Sequence, residues 1–409
     1  MSLFESASLV VTPNGTKASK LYAIKPTDGS GDLTVTRATT ARRVNSAGLI
    51  SSVANNVPRL DYLNSTCPSI LVEPQRTNVQ TYSEDFSNAI YLQIGVTVTT
   101  NAIVAPDGNT TADKIVEDTS TGFHTIDILN PPVSAGAYTV SVFVKAAERT
   151  KFQILGFLAL TGNVDFDLTA GTATTTAPAL NGKIENYGNG WFKCSATFTD
   201  LTGVNAQILF NILNNAGSNS YTGTAGSGLY LWGAQLEAGS YSTSYIPTTT
   251  ASVTRNADVI SKTGISALIG QTEGTLFADY VTNNQENASA RIISVSDGGF
   301  ANRIVLLKDS ASIRIFVSTA SVGQVDISFG TWLGSHKIAV AYANNDLVVF
   351  LDGVQVATDN SISVPACSAV QIGTLEDNSN GAPLGGEINL AVLFPTRLTN
   401  AELATLTTL

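Results

Sequence analysis

Hydrophobic and polar residues alternate in short runs along almost the whole chain, a period of two that predicts half-buried strands. Tyr138-Thr-Val-Ser-Val-Phe-Val-Lys145 shows it most clearly: Tyr138, Val140, Val142 and Val144 fall on one face, Thr139, Ser141, Phe143 and Lys145 on the other. Similar runs occupy 9–12, 32–37, 96–100, 151–156, 190–198 and 207–213, and again 274–280, 291–296, 303–307, 312–317, 337–342 and 346–351. Turn chemistry separates them, as in Pro26-Thr-Asp-Gly-Ser-Gly31, Ala105-Pro-Asp-Gly108, Asn214-Asn-Ala-Gly-Ser-Asn219 and Asp352-Gly353, and 42–50 reads as a hairpin around Ser46-Ala-Gly48. Helical spacing is confined to Ala401-Glu-Leu-Ala-Thr-Leu406, with Thr399-Asn400 as its cap region.

The pattern predicts an all-β protein: two β-sandwich (jelly-roll) domains in tandem after a small N-terminal β module. The expected boundaries are 1–73 for an anchoring and assembly module, 74–250 for the first sandwich and 255–409 for the second, with Thr248-Thr-Thr-Ala-Ser-Val-Thr254 as the joint. The first module is too short for assured stability alone and is expected to pack on a neighbour or another subunit.

Composition narrows the function. Charged residues are only 13% of the chain, against roughly 25% in typical soluble domains. The net charge of −10 argues against binding a phosphate backbone. The nearest basic cluster, Arg37, Arg42 and Arg43 with Lys17, Lys20 and Lys25 upstream, reads as a solvated face or an interface with acidic neighbours. Cys67, Cys194 and Cys367 are far apart without C-x-x-C spacing, so neither a disulfide framework nor a zinc site is expected. Cys194 reads as a small buried hydrophobe, and this usage fits assembly in a reducing cytoplasm. No secretory signal opens the sequence, and no apolar run approaches the ~20 residues of a membrane helix.

Catalytic chemistry is sparse. There are two histidines, His124 and His336, and no G-x-S-x-G elbow. His336 reads as a strand-edge residue. Asp165 and Asp167 share a strand face, but no paired-carboxylate glycosidase motif surrounds them. The loops Asp297-Gly-Gly299 and Glu376-Asp-Asn-Ser-Asn380 are oxygen-rich enough for calcium, yet ordinary turns have this composition. No cofactor and no catalytic residue are therefore expected. Trp191 and Trp232 lie in alternating runs and read as core. The freer candidates for stacking on a sugar are Phe123, His124 and Tyr221.

At family level the sequence resembles fibre or appendage proteins of tailed-bacteriophage particles. The residues that carry the likeness are Thr34-Val-Thr-Arg-Ala-Thr39, Asn56-Val-Pro-Arg-Leu-Asp-Tyr62, Leu71-Val-Glu-Pro-Gln-Arg-Thr-Asn78, Trp232-Gly-Ala-Gln-Leu-Glu237 and Thr243-Ser-Tyr-Ile-Pro-Thr248. The middle part resembles a carbohydrate-binding-module jelly roll. The C-terminal part is similar to concanavalin A-like, laminin-G-type domains through Lys337-Ile-Ala-Val-Ala-Tyr342, Leu351-Asp-Gly-Val354 and Glu387-Ile-Asn-Leu-Ala-Val392. The resemblance implies a non-enzymatic virion surface protein, assembled in the host cytoplasm, whose partners are other virion proteins and a host-surface glycan. A homotrimer is expected by analogy with other fibres, without nucleic-acid binding or membrane insertion. The alternatives are a cement protein that binds no glycan, a depolymerase and a secreted lectin.

Overall fold

The computed structural model describes residues 3–129, 136–157, 162–199, 207–286, 289–379 and 381–409. The chain is all-β apart from short 3-10 turns and one α-helix, and every described strand pairing is antiparallel. That helix, Asn400–Thr407, carries a full capping box. The Thr399 side chain accepts from the Glu402 backbone N–H, while the Glu402 carboxylate accepts from the Thr399 N–H.

The middle of the chain forms two six-stranded sheets packed face to face. One contains Val96–Ile103, Ala112–Glu117, Ala137–Ala146, Leu180–Asn186, Trp191–Thr199 and Gly228–Ala238; the other contains Tyr91–Ile94, Thr125–Leu129, Lys151–Phe157, Gly162–Asp167, Thr172–Thr176 and Gln207–Leu213. Alternation decides what lies between them. Val140, Val142 and Val144 from the first sheet meet Ile126, Phe152, Ile154, Phe210 and Ile212 from the second in one core, as a period of two requires. Phe143 points the other way and joins a smaller aromatic cluster with Trp191, Trp232 and Tyr245.

The second assembly is a long sheet in which fourteen strands follow one hydrogen-bonded path, with Leu60–Asp61 and Ser69–Val72 attached beside it. It bends over on itself, so that Ile304, Ile315 and Val317 from one half share a core with Val340, Val349 and Leu393 from the other. The turn at Asp352-Gly353 is the tight hairpin expected, with φ of 50° and 83° at the two positions. Glycine suits the second, because a side chain is strained at that φ.

The N-terminal residues are not a body of their own. Leu9–Lys17 pairs with Gly386–Phe394, and Leu33–Thr36 pairs with Val259–Thr263. With Lys20–Lys25 between them, these strands fill the centre of the C-terminal sheet, and Leu9, Val11, Leu21, Leu33 and Val35 sit in its core. The tandem arrangement expected from the pattern thus becomes a C-terminal sandwich completed by the first strands, with the middle sandwich inserted between them. The alternation of 9–12 and 32–37 marks the strands correctly, but period-two patterning carries no information about which distant strand is the partner.

Candidate functional site

The two sheets of the middle sandwich differ on their outer faces. The sheet containing Ala137–Ala146 turns its outer face toward the rest of the protein: Phe143, Trp191 and Trp232 pack with Val44 and Ile50 of the N-terminal hairpin. The outer face of the other sheet carries a row of polar side chains. Register places Ile94, Thr125, Asn211, Gln153, Asp165 and Thr174 side by side across six strands. The adjacent row runs Leu92, Asp127, Leu209, Leu155, Asn163 and Thr176.

These side chains are linked. Asn211 Nδ2 donates to Gln153 Oε1 at 2.8 Å, Gln153 Nε2 donates to Asp165 Oδ1 at 2.6 Å, and Asn163 Nδ2 donates to the same oxygen at 2.8 Å. Thr125 Oγ1 donates to Asp127 at 2.9 Å, and Asn219 reaches in from its loop to Gln153 at 3.1 Å. Thr125, Asp127, Gln153 and Asn211 are buried although they face away from the core. Asn211 Oδ1 is buried without a partner, a cost to the fold. Along the edge strand Leu92 and Ile94 are exposed, as is Leu129, giving the polar floor an apolar rim.

Phe123 and His124, just before the Thr125–Leu129 strand, and Tyr221, in ring contact with His124, were singled out from the sequence and have three different roles. Phe123 lies beyond the Thr125 end and Phe157 at the Leu129 end, yet their rings meet edge to face at 6.1 Å. His124 is completely buried: its Nδ1 is 2.7 Å from the Gly95 carbonyl and its Nε2 3.3 Å from that of Tyr221. It is a structural peg that anchors the 218–224 loop and is not available to stack on a ligand. Tyr221 is half-buried, in ring contact with His124 at 4.6 Å, and donates its hydroxyl to Glu117 at 2.6 Å. Glu117 also pairs with Arg149, whose guanidinium lies over the Tyr221 ring at 5.3 Å. Burial opposes ionisation of Glu117, but the Arg149, Tyr221 and Thr224 hydrogen bonds hold its carboxyl below the usual range. Sequence reasoning missed the polar row itself. Its signal was present as polar residues at every second position of 125–127 and 163–165, and at Gln207 and Asn211 on either side of Leu209, but cross-strand register is needed to align them.

Asp127 is the titratable group of the floor. Burial raises its carboxyl to about 6, with the Thr125 hydroxyl acting in the opposite direction. A carboxyl raised in the folded state favours folding when protonated, so its contribution is complete below the unfolded value near 3.9 and disappears as pH rises through 6. Urea denaturation is expected to show stability falling by about 1–2 kcal/mol between pH 4 and pH 7 in the native protein relative to Asp127→Asn. Parallel pH curves for the two proteins would contradict this.

The other concentration of charge sits where the middle sandwich meets the C-terminal one. Asp258 accepts from Arg37 at 2.8 Å, from Arg59, and from the Glu73 backbone N–H at 3.0 Å. Glu73 receives Arg59 at 2.6 Å, Arg255 at 2.9 Å and the Ser244 N–H at 2.8 Å. All five charged side chains are buried. Burial disfavours the Glu73 carboxylate, but Arg255 and Arg59 outweigh it and hold the group well below the ordinary carboxylate range. Beside this network is a cavity of about 100 Å³ bordered by Lys183, Glu185, Lys193, Tyr241 and Glu387. Burial pushes Glu387 up to about 7, partly offset by the hydrogen bond from Ser69. The basic cluster divides accordingly: Arg37 is an internal ion-pair partner, whereas Lys17, Lys20 and Lys25 lie on exposed or half-buried strand positions.

The remaining candidates are occupied by structure. His336 Nδ1 lies 2.7 Å from Asp352. Asp167 accepts the Thr169 and Ala170 N–H groups at 2.9 Å, while Asp165 serves the polar row. Asp297 accepts from Gly299 and Asn302, and Glu376 from Arg291 and Arg303; Asn380 lies outside the described residues. Among the described residues no group of three or more His, Cys, Asp and Glu is placed to hold a metal ion. Trp191, Trp232 and Trp332 are buried, each indole donating to an oxygen nearby.

No protein-family model and no curated protein matches the sequence. Among solved structures the chain shows a distant structural similarity to the CBM40 module of Ruminococcus gnavus IT-sialidase. With that module bound to α2,3-sialyllactose the identity is 18% and the TM-score 0.30, over 34% of this chain and 84% of that one. With the α2,6-sialyllactose complex the values are 17% and 0.31, over 36% and 91%. The NanB sialidase of Streptococcus pneumoniae is similar at 12% identity and TM-score 0.31, over 36% of this chain and 26% of that one.

Proposed function

We propose that this chain is a non-enzymatic surface protein of a bacteriophage particle that attaches to host-surface glycans, with the outer face of the middle sandwich as its sugar-binding surface. The observation that carries the reading is the polar row across this sheet, in which Asn163, Asp165, Thr174 and Thr176 reach solvent and the buried Thr125, Asp127, Gln153 and Asn211 continue it inward. Amides, hydroxyls and carboxylates in register match the alternating donors and acceptors of saccharide hydroxyls. The apolar rim and the Phe123–Phe157 pair supply surface for the C–H faces of the ring. Because the groups stand on strands rather than loops, they are held in place before the ligand arrives.

Assembly with other virion proteins, as a homotrimer, would multiply contacts that are weak singly. A glycan array probed with the whole chain tests this reading. Asn163→Ala and Asn211→Ala are expected to reduce retention at least tenfold, the scale of one lost buried hydrogen bond, with circular dichroism confirming that each variant is folded. Binding to no glycan, or unchanged binding in both variants, would leave the cement role instead. New reducing ends released from host polysaccharide would indicate a depolymerase.

A further inference from the structure

We propose that Arg291, Arg303 and Arg314 form a second binding site, on the C-terminal sandwich, for the carboxylate of an acidic saccharide. The inference rests on reading the chain as a glycan-binding protein and extends it to a different surface with a defined ligand chemistry.

Three neighbouring strands build the site: Arg291–Ser296, Arg303–Asp309 and Ser312–Thr319. Ile304, Leu306, Ile313 and Ile315 alternate into the core. Arg303, Arg314 and Phe316 therefore stand on the opposite face. Arg314 is opposite Leu307, which is opposite Arg291, and Phe316 is opposite Val305. The three arginines, Ser289 and Phe316 border a depression of about 220 Å³.

The guanidiniums are unevenly partnered. Glu376, fully buried, is shared by Arg291 at 3.2 Å and Arg303 at 3.3 Å, and Asp326 pairs with Arg314 from an exposed position. Asp309 and Asp377 act on Arg314 and Arg291 from nearby without pairing with them, so three arginines gather in a chain whose net charge is −10. Arg303 Nε is buried without a partner. The Arg303 guanidinium lies 5.1 Å from the Phe300 ring and 4.9 Å from that of Phe316, and Arg314 lies 5.3 Å from Phe316. Stacking of this kind fixes the planar forks in advance. Burial lowers the affinity of Arg291 for its proton, and repulsion from Arg303 and Arg314 adds to this against the pull of Glu376. An added anion relieves that repulsion.

A planar carboxylate meets guanidinium forks with paired hydrogen bonds. The Phe316 ring offers an apolar platform beside them for a sugar ring. A single carboxylate suits the Arg303 guanidinium, whose Nε has no partner, while the acidic chain repels a polyanion such as nucleic acid.

The test is calorimetric titration of the whole chain with D-glucuronic acid and N-acetylneuraminic acid, with D-glucose and inorganic sulfate as comparators. The sugar acids are expected to bind more tightly than either comparator. Arg303→Gln and Arg314→Gln should each weaken them at least tenfold, and Lys17→Gln, at an exposed position outside both sites, should leave them unchanged. Arg314 is on the surface, so its variant retains the fold even if Arg303→Gln does not. Equal binding of acid and glucose, or of acid and sulfate, would overturn the proposal, as would unchanged affinity in Arg314→Gln. Loss of the sugar acids in Asn211→Ala alone would overturn this site while upholding the middle one, and failure of every sugar to bind would remove both.

Discussion

Replacing Asp258 with alanine is expected to cost the protein about 3–5 kcal/mol of stability, the scale for breaking a buried ion pair by removing one partner. Asp258 is the only carboxylate that Arg37 pairs with among the described residues, and it also serves Arg59 and the Glu73 N–H. Its removal leaves a guanidinium buried beside two others, Arg59 and Arg255, with Glu73 alone to neutralise them. Burial already weakens the hold of Arg37 on its proton, against the pull of Asp258, and nothing replaces that pull in the variant. Chemical denaturation measures the loss. Arg314→Ala provides the contrast, because its partner Asp326 is more than half exposed and such pairs contribute about 0–1 kcal/mol. Equal effects of the two substitutions would show that the buried network is not what joins the sandwiches.

The same network explains why the stretches that carry the phage resemblance read as they do. In Leu71-Val-Glu-Pro-Gln-Arg-Thr-Asn78, Glu73 is the second carboxylate of the network and Arg76 pairs with Glu286 of the C-terminal sandwich. Asn78 donates to the carbonyls of Ala234 and Ile246 and accepts the Leu236 N–H. In Trp232-Gly-Ala-Gln-Leu-Glu237, Gln235 accepts the Ile246 N–H at 2.6 Å and Glu237 accepts the Thr243 N–H at 3.0 Å. Glu73 and Arg76 fasten the middle sandwich to its neighbour, while Asn78, Gln235 and Glu237 tie segments of the middle part to one another. They are polar because they span between backbones, and the polar row of the ligand face lies on the other sheet. Resemblance carried by these motifs therefore speaks to assembly of the fold more than to any ligand.

Local pattern made much of the architecture legible. The alternation of 138–145 separates core from junction residue by residue, and Thr399 with Glu402 identifies the helix start. Phe123 and Tyr221 fall near the proposed site because a polar loop with an aromatic residue near a strand end tends to lie at a sandwich rim. What local pattern could not supply was register. Thr125, Gln153, Asp165 and Asn211 come from four strands, and only their alignment turns scattered polar positions into a row. Arg291, Arg303 and Arg314 were invisible for the same reason, each resembling an ordinary strand-end or surface cation.

Removing residues 1–36 is expected to abolish folding of the C-terminal sandwich and leave the middle one. Three strands, Leu9–Lys17, Lys20–Lys25 and Leu33–Thr36, lie between Gly386–Phe394 and Val259–Thr263 in the long sheet. Their loss splits that sheet and leaves two unpaired edges, which invite aggregation. It also removes Leu9, Val11, Leu21, Leu33 and Val35 from the core, at about 1.5–3 kcal/mol for each buried side chain. The sum, about 7.5–15 kcal/mol, is as large as the roughly 5–15 kcal/mol by which domains are stable. The middle sandwich closes its own core from residues beyond the deletion, so limited proteolysis of the truncated chain should yield a resistant fragment within about 79–247 and degrade the remainder. A truncated chain with the full-length unfolding midpoint and no such fragment would mean that the first strands are a detachable anchor, and that the C-terminal sandwich closes its sheet without them.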